Sequence, residues 1–250
     1  MKPGGLALAV SWLTVLPVGT TAVDARSAAA AIRWSPVVGA VLGAVAGAVR
    51  RVVRALGVPA LVAGLLTVGA LALVTRGMHL DGLADTADGL GCFGPPERAL
   101  AVMRDGAAGP FAVVTLVVVI GTQAAALAAL PIGPTAVLAV ALACATGRAG
   151  FAWCARRRVP AARPGGLGAT VAGSQPAWVA PLYWLVLGAA GVFAVPGRAW
   201  GGPVAVGVAA LAVVALAAHT RRRLGGMTGD VLGAASEIGT TAALVVLASG

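Results

Sequence analysis

Asp81, Asp85, Asp88, Glu97 and Asp105 fall within twenty-five residues, and Asp230 and Glu237 follow near the C-terminus. They are seven of the eight acidic residues in a chain of 250. Carboxylates beside a membrane add nothing to the stability of a chain this apolar, so their clustering points to a site. Several carboxylates next to basic residues are suited to hold a divalent cation and the phosphates it bridges.

The densest run is His79-Leu80-Asp81-Gly82-Leu83-Ala84-Asp85-Thr86-Ala87-Asp88-Gly89. In a helix, Asp81, Asp85 and Asp88 stand at i, i+4 and i+7 on one face. Like charges so placed are tolerable when solvated, when matched by arginines, or when they ligate a cation. Mg²⁺ is typically held by one or two protein carboxylates plus phosphate oxygens and waters. His79 reads as a general base or ligand beside them, or as a polar residue at a helix end.

Three further groups carry polar chemistry. Arg104 and Asp105 precede an apolar span. Arg104 could meet a phosphate through its fork of donors, pair with Asp105, or anchor the membrane boundary. The segment Gly225-Gly226-Met227-Thr228-Gly229-Asp230 permits close backbone approach to a ligand. Asp230 then opens a helix, either as a binding group or as its N-cap, and Glu237 lies two turns on. Arg148 sits within an apolar span and needs an anion, either a carboxylate or a substrate phosphate. The Pro/Gly-punctuated stretch 159–168 that follows, with Arg163, reads as an ordered loop or a lid.

The elements that must position these groups are transmembrane helices. The chain is 59% hydrophobic and 10% charged, with a mean hydropathy of +0.95. A soluble domain would carry about 25% charged residues. Period-two alternation, the mark of a membrane barrel, is absent. The expected fold is all-α and polytopic, one catalytic domain over 1–250. Spans are expected near 36–56, 58–76, 109–130, 133–155, 177–196, 202–219 and 231–248, seven in all. Residues 4–16 are too short for a span and are expected to lie at the interface or to re-enter. No cleavable signal peptide is evident.

The net charge of +10 comes from 17 Arg and one Lys against the eight acids. Most of it reads as a positive-inside bias. The basic residues form no stripe with interleaved aromatics, which argues against nucleic acid. Arg156, Arg157, Arg158 and Arg163, then Arg221, Arg222 and Arg223, mark loops on the same side as the acidic segments, expected to be cytoplasmic. Arg50, Arg51 and Arg54 fall at the opposite end and disagree with that rule. Gly39, Gly43 and Gly47 at i, i+4 and i+8 form a close-packing face. Three cysteines without a CxxC argue against disulfides and structural zinc.

Together these residues resemble the cobalamin-5′-phosphate synthase family, the adenosylcobinamide-GDP ribazoletransferases, over nearly the whole chain. The resemblance is carried by Leu16-Pro17, Trp34-Ser35-Pro36-Val37-Val38-Gly39, Gly77-Met78 with the His79–Gly89 run, Met103-Arg104-Asp105, Ala162-Arg163 with Gly166-Leu167-Gly168, and Gly226-Met227-Thr228-Gly229-Asp230. The chain departs from the family pattern after Met103-Arg104-Asp105, where Gly106-Ala107 stand in place of the family's Ser and basic residue.

The resemblance implies a Mg²⁺-dependent multi-pass enzyme of the cytoplasmic (inner) membrane. Adenosylcobinamide-GDP and α-ribazole, or its 5′-phosphate, would condense to adenosylcobalamin or its 5′-phosphate and release GMP. Asp81, Asp85 and Asp88 would hold the metal. Asp105 or His79 would take the hydroxyl proton, with Arg104 also in the catalytic set. Arg148, Arg163, Thr228, Asp230 and Glu237 would bind substrate. The partners implied are these small molecules and the bilayer; a homo-oligomer is left open.

Two alternatives remain. A CDP-alcohol phosphotransferase also clusters aspartates at a membrane face, but its pattern wants Ala-Arg where Ala87-Asp88 stands. A cation-coupled transporter would place its acids near the midplane, whereas most of these lie in an expected loop.

Overall fold

The computed structural model describes residues 4–18 and 23–249, and every structural statement here concerns those residues. It contains eleven helices and no strand, with two isolated bridges. The helices are α1 (Gly5–Leu13), α2 (Ala25–Ala55), α3 (Ala60–Val74), α4 (Met78–Gly91), α5 (Pro96–Val102), α6 (Pro110–Ala129), α7 (Pro134–Cys154), α8 (Gly166–Val171), α9 (Val179–Gly191), α10 (Gly201–Leu224) and α11 (Gly229–Ala248).

Five of them, α2, α6, α7, α10 and α11, are long and apolar enough to cross a bilayer. A sixth span exists only if α3 and α4 count as one, and these meet at 94°. The expected seven therefore fall short in two places. Helix α9 has 13 residues, about 20 Å at 1.5 Å per residue, against a hydrocarbon core of roughly 30 Å. Helix α3 stops at Val74, and the chain turns sharply through Arg76 (φ 56°) and Gly77 (φ 66°). Helix α4 thus leaves the spanning axis and lies across one end of the bundle. Arg76 also donates from Nη2 to the carbonyls of Ser11 (3.0 Å) and Trp12 (3.4 Å) at the end of α1.

Helix α7 is the central strut, with 78% of its span buried against 33–39% for α2, α6 and α10. The glycine face of α2 lets it approach. A Cβ at Gly39 would lie 2.6 Å from the Cys144 carbonyl oxygen, and one at Gly43 2.6 Å from that of Val140. Small residues at both helices replace side-chain volume with backbone contact. Helix α7 then packs on α11, and α11 on α4.

The arginines at the far end of α2 have a local explanation. Arg50, buried, donates to the carbonyls of Leu130 and Pro131, and Arg54 donates to Val58 at 2.6 Å. Leu130 closes α6, so Arg50 satisfies carbonyls that the helix end leaves free. Arg50 and Arg54 are placed by these carbonyls and not by the sidedness of loop charge. Arg221, Arg222 and Arg223, expected in a loop, instead form the last turn of α10.

The segment 156–176 is ordered and carries the short helix α8 that its Pro/Gly content argued against. Ala162 donates to the Met227 carbonyl and Met227 to that of Pro160, both at 2.9 Å. Buried Gln175 accepts from Arg33 at 3.2 Å and donates to Ala29 at 2.9 Å. These bonds pin the loop to α2 and to the entrance of α11.

Candidate active site

Helices α4 and α11 meet backbone to backbone. A Cβ at Gly82 would lie 2.7 Å from the Asp230 carbonyl oxygen, and one at Gly233 would lie 2.9 Å from that of His79. This crossing brings the acidic face of α4 beside the N-terminus of α11. Thr228 caps α11, its hydroxyl accepting from Val231 N–H at 3.3 Å. The pinned loop closes the third side through Arg163, Gly165 and Gly166.

The result is a cleft of about 220 Å³ lined by Asp81, Arg163, Thr228 and Asp230 among others. Arg163 Nη2 lies 3.1 Å from Asp230 Oδ2. The second guanidinium nitrogen of Arg163, Nη1, is buried without a partner. Asp81 is exposed and Asp85 half-buried, and neither has an ion-pair partner among the described residues. Burial first, then the charges of Asp81 and Asp230, push the Asp85 carboxyl up to about 6, with Arg163 opposing. Asp85 thus stands in a field short of positive charge.

Those oxygens are hard donors that suit Mg²⁺. Among the described residues no three metal-binding side chains converge on a ready-made cage. That fits an ion held by one or two carboxylates and completed by substrate phosphate. A closed structural site would need more ligands from the protein.

The other sequence-derived candidates lie elsewhere. Asp88 caps a helix. Its Oδ2 accepts from Gly109 N–H at 2.6 Å and its Oδ1 from Ala112 N–H at 2.9 Å, at the N-terminus of α6. Asp105 is exposed and lines a neighbouring cleft of about 360 Å³ with Asp88. Arg104 is exposed and lines neither cleft.

His79 is 3% exposed and faces an apolar cavity with its ring 5.8 Å from Phe151. Burial, and secondarily Arg148, hold its imidazole well below the ordinary histidine value. Glu237 accepts from Gln123 Nε2 at 2.7 Å, inside the bundle. Arg148 lines the same small interior void and donates to the Cys144 carbonyl at 3.3 Å. Asp81, Arg163, Thr228 and Asp230 line one cleft, and Asp85, beside its lining, feels the charges of Asp81, Asp230 and Arg163. Arg148, Glu237, His79 and Arg104 lie apart from it.

Sequence reasoning missed Gln123 and Gln175. A lone amide in an apolar run is the signal that marks Gln123, since a buried amide demands partners.

Known proteins resemble this chain along nearly its whole length. The family described as cobalamin-5-phosphate synthase matches residues 5–248. An adenosylcobinamide-GDP ribazoletransferase of Nocardioides sp. is 45% identical over 242 residues, covering 96% of each chain. One of Bradyrhizobium diazoefficiens is 37% identical over 246 residues, covering 98% of this chain and 93% of its own. One of Frankia casuarinae is 37% identical over 257 residues, covering 96% and 92%. No solved structure matches. With a family match and relatives of this identity along nearly its full length, the chain belongs to the cobalamin-5-phosphate synthase family.

Proposed function

We propose that this protein is an adenosylcobinamide-GDP ribazoletransferase whose reaction occurs in the cleft between α4, α11 and the Arg163 loop. It joins adenosylcobinamide-GDP to α-ribazole or its 5′-phosphate and releases GMP. A ribose hydroxyl oxygen forms the new bond to the phosphorus on the corrinoid side of the diphosphate. The bond from that phosphorus to the oxygen that leaves with GMP breaks, and the hydroxyl proton is released. Such transfer depends on positioning and charge neutralisation more than on covalent catalysis.

The observation that carries this reading is the pairing of uncompensated carboxylates on α4 with a half-engaged guanidinium opposite. Asp81 and Asp85 would hold Mg²⁺, which when bound would neutralise the diphosphate and its developing charge. Arg163, oriented by Asp230, offers its unpartnered Nη1 to a phosphate oxygen. The N-terminus of α11 adds N–H groups and the positive end of its dipole. Asp88 drops out of the metal set in this reading, because both of its oxygens serve α6.

The cleft would face the cytoplasm. Arg156, Arg157, Arg158 and Arg163 share its end of the bundle with Arg221, Arg222 and Arg223. The test is GMP release by the purified protein in lipid, given both substrates, with and without Mg²⁺. Release that requires both substrates and the metal supports the reading. A well-folded protein that releases no GMP under these conditions would sink it.

A further inference from the structure

We propose, resting on the transferase reading above, that the cleft beside Asp105 receives the guanine of the GDP moiety, its ring N–H and amino group donating to the Asp105 carboxylate and its face stacked on Phe111. The departing nucleotide then lies along the acidic face of α4, with its phosphate at Asp81 and Asp85 and its base beyond Asp88.

The two clefts stand at the two ends of that face. Asp81 lines one and Asp88 the other. Seven residues part them, about 10 Å along the axis, and i to i+7 returns to the same side of a helix. Asp85 lies between, sensing Asp81, Asp230 and Arg163 from one end and Asp88 from the other. A nucleotide bridges that distance from its phosphate to the far edge of its purine.

The cleft has the size and the walls for a base. Its volume of about 360 Å³ falls within the range of ligand sites. Among the described residues no arginine or lysine lines it, so a phosphate finds no partner there. Phe111 is 56% exposed, and its ring is seated on bare backbone, since a Cβ at Gly91 would collide with it. Two carboxylates line the cleft, and one is free. Both oxygens of Asp88 serve the N–H groups of Gly109 and Ala112. Asp105 is exposed, and among the described residues its carboxylate has no hydrogen bond or ion pair. Gly106, at φ 70°, turns the chain just after it, and residues 106–109 carry nothing larger than a methyl group.

An occupant is therefore called for that is flat and offers adjacent donors to the two oxygens of one carboxylate. Two bases enter the reaction. Guanine carries a ring N–H and an amino group side by side on one edge. A benzimidazole joined to ribose through nitrogen carries no donor and would leave the carboxylate desolvated and unpaired. Asp105 in this reading selects the base and does not take the hydroxyl proton.

The test uses the full chain in lipid vesicles with Mg²⁺. Cobalamin formation is measured with GMP, IMP, XMP or AMP competing against adenosylcobinamide-GDP. Wild type is expected to bind GMP about 10-fold more tightly than IMP, which lacks the amino group, and about 100-fold more tightly than AMP, the scale of one and two hydrogen bonds to a charged group. Asp105→Asn puts a donor in place of one acceptor. It should weaken GMP by about 10-fold and prefer XMP, which has a carbonyl where GMP has the amino group. Phe111→Ala should raise the KM for adenosylcobinamide-GDP by about 10-fold, the scale of one base stacked on an aromatic ring, and leave the KM for α-ribazole unmoved.

Equal inhibition of wild type by GMP and AMP would overturn the inference even if the variants fail to fold. So would an Asp105→Asn enzyme that keeps its preference for GMP over XMP, since a structural role for Asp105 gives no such switch. A KM that rises in Asp105→Asn for α-ribazole alone would give the cleft to the sugar of the other substrate and overturn the inference too. No product from the wild-type protein would overturn the transferase reading as well. Product formed without selection among the purines overturns this inference alone.

Discussion

Arg163 Nη2 meets Asp230 Oδ2 at 3.1 Å and ties the loop after α7 to the first turn of α11. The two residues are 67 apart in sequence. Both side chains are about one-fifth exposed, and a pair this open to solvent contributes about 0–1 kcal/mol to stability. Its weight lies in aiming a cation.

Arg163→Met should therefore cut kcat/KM for adenosylcobinamide-GDP by roughly 100-fold, the scale of losing one preorganised donor to developing charge. Its unfolding midpoint should stay near that of wild type. Asp230→Asn should show a smaller loss of the same kind. Steady-state GMP release and a thermal melt on one preparation check both. A melt that falls in step with the activity would assign the pair a merely structural role.

Asp85 ties metal binding to pH. A carboxyl held at about 6 takes up a proton in competition with a cation. As pH falls from 7 to 5, the Mg²⁺ concentration for half-maximal activity should climb, by about tenfold per unit once below 6. The proton and the metal favour opposite ends of that range, so the sign is fixed. Asp85→Asn should raise the Mg²⁺ requirement at pH 7.5 by at least about 10-fold and flatten this dependence. A flat profile in wild type would remove Asp85 from the metal site.

Asp88 separates a cap from a ligand. Asn sets an NH2 group, a donor, against one of the two N–H groups that Oδ1 and Oδ2 now serve separately, and it loses the favourable charge at the N-terminus of α6. Asp88→Asn should lower stability by about 1–3 kcal/mol with an unaltered Mg²⁺ half-saturation. Denaturant unfolding and a metal titration read the two effects independently. A shifted titration at unchanged stability would return Asp88 to the metal set.

Gly82 tests the crossing. A Cβ 2.7 Å from the Asp230 carbonyl must displace backbone. Gly82→Ala should cost about 1–3 kcal/mol and lower kcat, because α4 and α11 carry opposite walls of one cleft. Gly69→Ala, where no atom lies within 4 Å of the added carbon, should do neither. Equal activity in the two variants would mean that the close approach does not position the cleft.

Glu237 is expected to be silent in binding. Glu237→Leu strips Gln123 of a partner within the bundle and should cost about 1–3 kcal/mol of stability. The KM for either substrate should not move. A raised KM at normal stability would place Glu237 at the substrate after all.

Much of this arrangement was legible in the chain. The span expected at 133–155 is α7, Pro134–Cys154, because Pro at its start and a long apolar run leave no other choice in lipid. The glycine face of α2 read as packing and packs on α7. The acidic run was expected within a loop, with one face shared by its aspartates if helical, and it is the helix α4. What stayed hidden depended on contacts between distant segments. Asp88 shares a face with Asp81 and Asp85, yet its partners lie 21 and 24 residues on. Asp230 and Glu237 share a face of α11, but seven residues put them about 10 Å apart along its axis, so one reaches the cleft and the other the interior. The turn after α3 was illegible because Arg76, a residue with a β-carbon, adopts a conformation that such residues rarely take.

That turn works as a lever. Helix α4 has 14 residues and so extends about 20 Å from its pivot at Gly77. At that length, a rotation of about 5° carries the far end nearly 2 Å. The pivot's neighbour Arg76 is held by α1, a helix too short to span the bilayer and absent from the cleft's lining. Loss of α1 would free the residue beside the pivot, and a change in the angle of α4 would then shift Asp85, eight residues along, by about 1 Å for 5° although α1 does not line the cleft.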